Sequence, residues 1–176
     1  MSQTKLISLI SGLITIVISF LIANGTLPTP PEEPVAHTGN VSRVVDGDTV
    51  DIELDGEVTR VRLLGIDTPE VVDPRKPVQC FGQEASDHLH ALLDGQDVTL
   101  EYDDSQGVTD KYDRTLAYVL LDGEKNINEQ MIRDGFAYEY TYRDAYRYQM
   151  EFRNAEREAR DGKKGLWSSE TCGGQR

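Results

Sequence analysis

Three short turns in this chain carry residue types that bind cations and anions. The first is Val45-Asp46-Gly47-Asp48-Thr49, where Gly47 separates two acids and lets the backbone bend so that hard oxygens approach a cation. The second runs from Arg62 through Leu63, Leu64, Gly65, Ile66, Asp67, Thr68 and Pro69 to Glu70. A strand delivers Asp67 at its end, and Pro69 holds the turn that follows. Asp48, Asp67 and Glu70, three acids from two turns, are then able to surround one divalent ion and one water. The third turn, Asp110-Lys111-Tyr112-Asp113-Arg114, is again polar, and Arg62 and Arg114 bring guanidinium groups to the acids. Solvated acids at strand ends are the ordinary alternative, and an Asp-Gly-Asp turn alone is a weak signal because turns use the same residues. An EF-hand is excluded: Asp46, Asp48 and Glu57 fit its first, third and twelfth positions, but Asp51 stands where Gly is required and Val50 where an oxygen ligand belongs.

The elements that position these turns follow from periodicity. Between Asn40 and Ile66 apolar residues alternate with polar ones: Val50, Ile52 and Leu54, then Thr59, Val61 and Leu63, a hairpin turned at Asp55-Gly56. Further strands are expected at Val98 to Tyr102 and Thr115 to Leu121, making five short strands in all. Ala85, Leu89, Leu92 and Leu93 form a helical stripe closed by Asp94-Gly95. Asn126 and Glu129 make a capping box for a short helix ending at Gly135. A longer third helix carries Ala145, Tyr148, Phe152, Ala155 and Ala159 on one side and stops at Gly162, its two aromatics read as core. The pattern is α+β and β-rich.

With 176 residues the chain has room for one domain and an appendage. Its formal charge of −13 excludes reading nucleic-acid affinity from net charge, so any such affinity must come from local residues. Arg outnumbers Lys and Asp outnumbers Glu, a balance that fits a protein kept soluble in concentrated salt. Leu6 to Ala23 carry no charge and follow Lys5, which reads as a signal peptide or membrane anchor over residues 1–25. Four of the seven prolines fall in a linker over residues 26–39, an extended spacer. The folded domain is expected over residues 40–172 with a short tail over 173–176, secreted or anchored at the outer face of the membrane and monomeric. Cys80 and Cys172 are the only cysteines, and in an exported chain one disulfide is the economical reading. A zinc pair is the alternative, but two distant cysteines and the histidines His37, His88 and His90 make a poor site for it.

Several motifs in one order resemble the thermonuclease, staphylococcal-nuclease-like family from about Asn40 to Trp167. They are Val45 to Thr49, Arg62 to Glu70, Gly82 with Glu84-Ala85, Asp110 to Tyr112 with Arg114, Leu116-Ala117-Tyr118, Asn128, Gly135 and Leu166-Trp167. The resemblance implies a five-stranded OB-fold barrel with three helices that hydrolyses DNA and RNA with calcium, leaving 5'-hydroxyl and 3'-phosphate ends. It implies Asp48, Asp67 and the Thr68 carbonyl as ligands of Ca2+, with Asp46 an acid just outside them. Glu70 then activates water, and Arg62 and Arg114 hold the phosphate. Lys111, Tyr112 and Tyr142 are expected at the substrate, with Arg75 and Lys76 on flanking phosphates. Two departures stand out: Asp113, where the family commonly has Gly, puts a carboxylate beside Arg114, and the loop from Asp103 to Val108 is acidic. A noncatalytic OB-fold module that binds nucleic acid is the competing class, and a calcium-binding surface domain a third. The acids argue against the first and the two arginines against the second.

Overall fold

The alternating segments become strands because one face of each finds a common core. The computed structural model describes residues 37–71 and 79–175, so the N-terminal segment, Arg75 and Lys76 lie outside the described residues. Strands β1 (His37–Asp46), β2 (Thr49–Leu54) and β3 (Glu57–Leu63) form an antiparallel meander. The β2–β3 turn at Asp55-Gly56 has both residues at positive φ, as a two-residue hairpin loop with matching twist requires. β1 also pairs with a fifth strand, Asp97–Glu101, after the two-residue β4 (Ile66–Asp67); this β5 pairs with β6 (Thr115–Leu121). The parallel pairing of Val61 to Leu63 with Thr115 to Ala117 then joins β6 to β3 and closes a five-stranded barrel. A short β7 (Lys125–Asn126) extends β6, and β8 (Tyr138–Glu139) pairs with β4. β1 starts at His37, so the last three residues read as linker belong to a strand.

Three helices cover the barrel, which is the expected OB-fold arrangement: α1 (Gly82–Leu93), α2 (Ile127–Arg133) and α3 (Gln149–Asp161). Asn126 caps α2 as expected, its side chain accepting from the Glu129 amide. His88 is half-buried and stacks on Phe136. α3 buries Phe152, Ala155 and Ala159 but begins four residues after Ala145, which is exposed; the side chain buried there is Tyr146. The reason is a carboxylate. Asp103 Oδ2 accepts from the Arg147 amide at 2.7 Å and from the Tyr118 hydroxyl at 2.9 Å, while Oδ1 accepts from the Ser105 amide and hydroxyl. These bonds fix residues 144–147 as a loop against the loop at 103–106, where Gln106 Nε2 also donates to the Asp144 and Ala145 carbonyls.

Asp103 is therefore a buried anchor, 6% exposed, and not one more surface acid. Burial alone raises its pKa, but the donors from Arg147, Ser105 and Tyr118 outweigh it and hold the carboxyl below the ordinary range. A lowered native pKa contributes stability above the unfolded value near 3.9 and loses it as pH falls through the native value. Asp103→Asn is expected to cost about 2–3 kcal/mol at pH 7. Paired thermal melts would show the gap between wild type and variant closing below about pH 4, whereas a pH-independent gap would mean the charge is irrelevant.

Asn128 is fully buried and does comparable work with backbone: its Nδ2 donates to the Leu64 and Ala117 carbonyls and its Oδ1 accepts from the Val119 amide. It ties α2 to β6 and to the turn between β3 and β4. Cys80 and Cys172 are joined, as expected, across 92 residues. The tail beyond them packs back: the Gly174 amide donates to the Leu166 carbonyl at 2.7 Å, and the Tyr138 hydroxyl to that of Gln175 at 2.8 Å.

Candidate active site

The β1–β2 turn and the segment after β4 meet because Gly47 has no side chain. A Cβ there would stand 2.8 Å from Thr68 Oγ1 and 3.0 Å from Thr68 Cβ, so the requirement is close approach and not the bend expected from the sequence. Gly65, at φ +79°, makes the reversal between β3 and β4, and a Cβ on it would strike the Tyr146 ring at 2.8 Å. These two contacts deliver Asp48 and Asp67 to one place.

Asp48, 7% exposed, is the hub. Its Oδ2 accepts from the Thr68 amide at 3.2 Å and the Thr68 hydroxyl at 3.1 Å, and lies 2.9 Å from Arg62 Nη2. Its Oδ1 accepts from the Thr49 hydroxyl at 2.9 Å. The same Arg62 nitrogen is 3.6 Å from Asp67 Oδ1, while Arg62 Nη1 donates to the Leu63 and Ile66 carbonyls. Asp46 accepts from the Asp48 amide. Burial, then the charge of Asp48 beside it, push the Asp46 carboxyl up to about 7.

A cleft of about 610 Å³ opens from this hub, lined by Arg62, Asp67, Lys111, Tyr112, Arg114 and Tyr142 among others. Arg114 is held by Asp110, which accepts from its Nε at 2.8 Å and faces its Nη2 at 2.6 Å, and Arg114 Nη1 reaches Thr49 Oγ1 at 3.4 Å. The carboxylate on Arg114 is thus Asp110, four residues earlier, rather than the adjacent Asp113. Asp113 adopts φ 62°, a left-handed conformation that glycine takes most easily and Asp tolerates. The tyrosines divide by position: Tyr138 is buried against Trp167, whereas Tyr142, 61% exposed, and Tyr112, 67% exposed, line the cleft. Lys111 Nζ lies 4.9 Å over the Tyr112 ring and the Arg114 guanidinium carbon 5.4 Å from it.

Glu70 comes two residues after Thr68 and is not among the residues lining the cleft; its Oε1 accepts from the Val71 amide at 3.0 Å. Sequence reading also missed Thr49 and Asp110. The spacing of Asp110 four before Arg114 was the available signal for the latter.

Among the described residues no three acids, histidines or cysteines gather as a metal cluster. What the site does offer is two carboxylates from separate turns whose negative potentials overlap at one guanidinium nitrogen. Every donor near that point is a hard oxygen, a set that fits Ca2+ or Mg2+ and not a soft metal.

A closed five-stranded barrel with acids, two arginines and tyrosines gathered at one cleft defines an OB-fold protein. Residues 60–169 match the family described as staphylococcal nuclease homologue, and the chain belongs to that family. It is 39% identical over 167 residues to a thermonuclease of Staphylococcus hyicus, covering 94% of this chain and 97% of that one. To a thermonuclease of Staphylococcus intermedius it is 35% identical, covering 93% and 96%. An SPbeta prophage-derived endonuclease YokF of Bacillus subtilis is 39% identical over 73% of this chain and 43% of its own length. These relatives support a nuclease of the staphylococcal nuclease family.

Proposed function

We propose that this chain is a calcium-dependent, extracytoplasmic nuclease that hydrolyses phosphodiester bonds of DNA and RNA with little sequence specificity, leaving 5'-hydroxyl and 3'-phosphate ends. The observation that carries the reading is the convergence of Asp48, Asp67 and Arg62 within hydrogen-bond or ion-pair distance, at a cleft that Arg114 also lines. Asp48 and Asp67, with Thr68, would hold the calcium. When bound, the ion supplies charge neutralisation at the phosphate and a more acidic water.

The chain's own residues account for the rest. Arg62 and Arg114 bring guanidinium charge to the non-bridging phosphate oxygens, whose charge grows in the transition state. Asp110 and Thr49 hold Arg114 in place so that it need not reorganise during the reaction. Glu70 takes the proton of the attacking water, phosphorus gains that oxygen, and the 5' oxygen leaves with the bonding pair and takes a proton from solvent to become the 5'-hydroxyl. Tyr112 and Tyr142 offer ring faces that any base can stack on, which supports weak sequence preference. The uncharged stretch from Leu6 to Ala23 supports export or anchoring, and the disulfide suits an oxidising compartment.

Incubating single-stranded DNA and RNA with the protein in calcium, in magnesium and in chelator, at low and high salt, tests this. Calcium-dependent cleavage to products that accept a 5' label without prior phosphatase treatment is the expected result. Oligonucleotide binding without cleavage in any metal would favour the noncatalytic module, and full cleavage in chelator would remove the cation from the reading.

A further inference from the structure

We infer that Gln79, tethered by the Cys80–Cys172 disulfide, is a positioning residue for Glu70; the inference rests on the reading of Glu70 as the group that takes a proton from water. Glu70 follows the short β4 and belongs to no regular element. Both of its backbone polar groups are nevertheless paired with one residue nine positions later. The Glu70 amide donates to Gln79 Oε1 at 2.6 Å, and the Gln79 amide donates to the Glu70 carbonyl at 2.9 Å. Since the Glu70 carboxylate accepts from the next amide, that of Val71, the side chain is referenced to the same stretch of backbone.

Gln79 is itself fixed from the C-terminal tail. It precedes Cys80, whose sulfur reaches Cys172, and that tail is held by the bonds from the Gly173 amide to Ser168 O and from the Gly174 amide to Leu166 O. The tail also reaches the strand paired with the other acid: Tyr138, whose hydroxyl donates to the Gln175 carbonyl, is the register partner of Asp67 across β4–β8. Asp67, Thr68, Gln79, Cys80, Tyr138 and Gln175 wall one hollow of about 210 Å³ behind the acid turn. One cross-link thus braces the segment from both ends, reaching Glu70 through Gln79 and Asp67 through Tyr138. The chemistry has need of that, because a proton acceptor must sit within hydrogen-bond reach of its water and about 1 Å of displacement can cost about a hundredfold in rate.

Gln79→Met removes the acceptor while keeping side-chain length. At saturating calcium it is expected to lower kcat for single-stranded DNA about tenfold, with KM within about twofold and the melting temperature nearly unchanged. Hydrogen exchange at the Glu70 amide should accelerate, and Gln79→Glu, which restores an acceptor, should recover most of the rate. In a Glu70→Gln background Gln79→Met should cost nothing more. Cys80→Ser with Cys172→Ser, assayed well below its lowered melting temperature, should reproduce the kcat loss without adding to that of Gln79→Met. A full-rate Gln79→Met beside a crippled Glu70→Gln overturns the inference alone, as does an additive double variant. A full-rate Glu70→Gln overturns the reading of Glu70 and the inference with it.

Discussion

Arg114→Ala is expected to lower kcat for DNA cleavage about a thousandfold while calcium binds as before, because one preorganised donor to the developing phosphate charge contributes about 3–4 kcal/mol. Arg114 lines the cleft, but the carboxylate it engages is Asp110, so its removal leaves Asp48 and Asp67 with their partners. Stability should change little, since both members of the Arg114–Asp110 pair are partly solvated. Arg114→Lys should recover only a small part of the rate, because an ammonium cannot reproduce the fork. Steady-state kinetics with calorimetric calcium titration checks this. A variant with wild-type kcat would show that Arg114 has no part in stabilising the transition state.

Asp48→Ala is expected to fail in two separable ways. Asp48 accepts from Thr68 twice and from Thr49 once, and neutralises Arg62, all at a site 7% exposed. Deleting it strands a largely buried guanidinium and three donors, at a cost of about 3–5 kcal/mol, softened by relief of the repulsion with Asp46. Calcium affinity should fall by about a hundredfold or more and cleavage should become undetectable. Asp48→Asn separates the two losses: its amide oxygen still accepts from Thr68 and Thr49, so the melting temperature should recover most of the drop while calcium affinity and cleavage do not. If Asp48→Asn bound calcium normally, Asp48 would be an organiser of the turns and not a ligand.

Much of the barrel is legible in the sequence because its signals are local. Alternation over β2 and β3, an Asp-Gly turn at positive φ, and the Asn126 cap on α2 each depend on residues within a few positions of one another. The site residues Asp48, Asp67, Arg62 and Arg114 were legible too, since the motifs that carry them are short and ordered as in the family. The start of α3 was not. Ala145 and Tyr148 match its period, but Asp103 captures the Arg147 amide from a strand end 44 residues away, and no window along the chain contains both partners. Asp103 itself reads only as one member of an acidic loop for the same reason.

What the sequence by itself determined is the inventory: which acids, arginines and tyrosines sit at strand ends, which helices form, and that two cysteines are free to pair. Only the tertiary structure decided how they meet. Closure of β6 on β3 and the passage of Gly47 under Thr68 set Asp48 beside Asp67. The tail's return through Cys172 makes Gln79 a neighbour of structural consequence for Glu70. The physical reason is range: propensity and periodicity act over one or two turns of chain, whereas close packing and buried hydrogen bonds act over a few ångströms between residues that the barrel alone brings together.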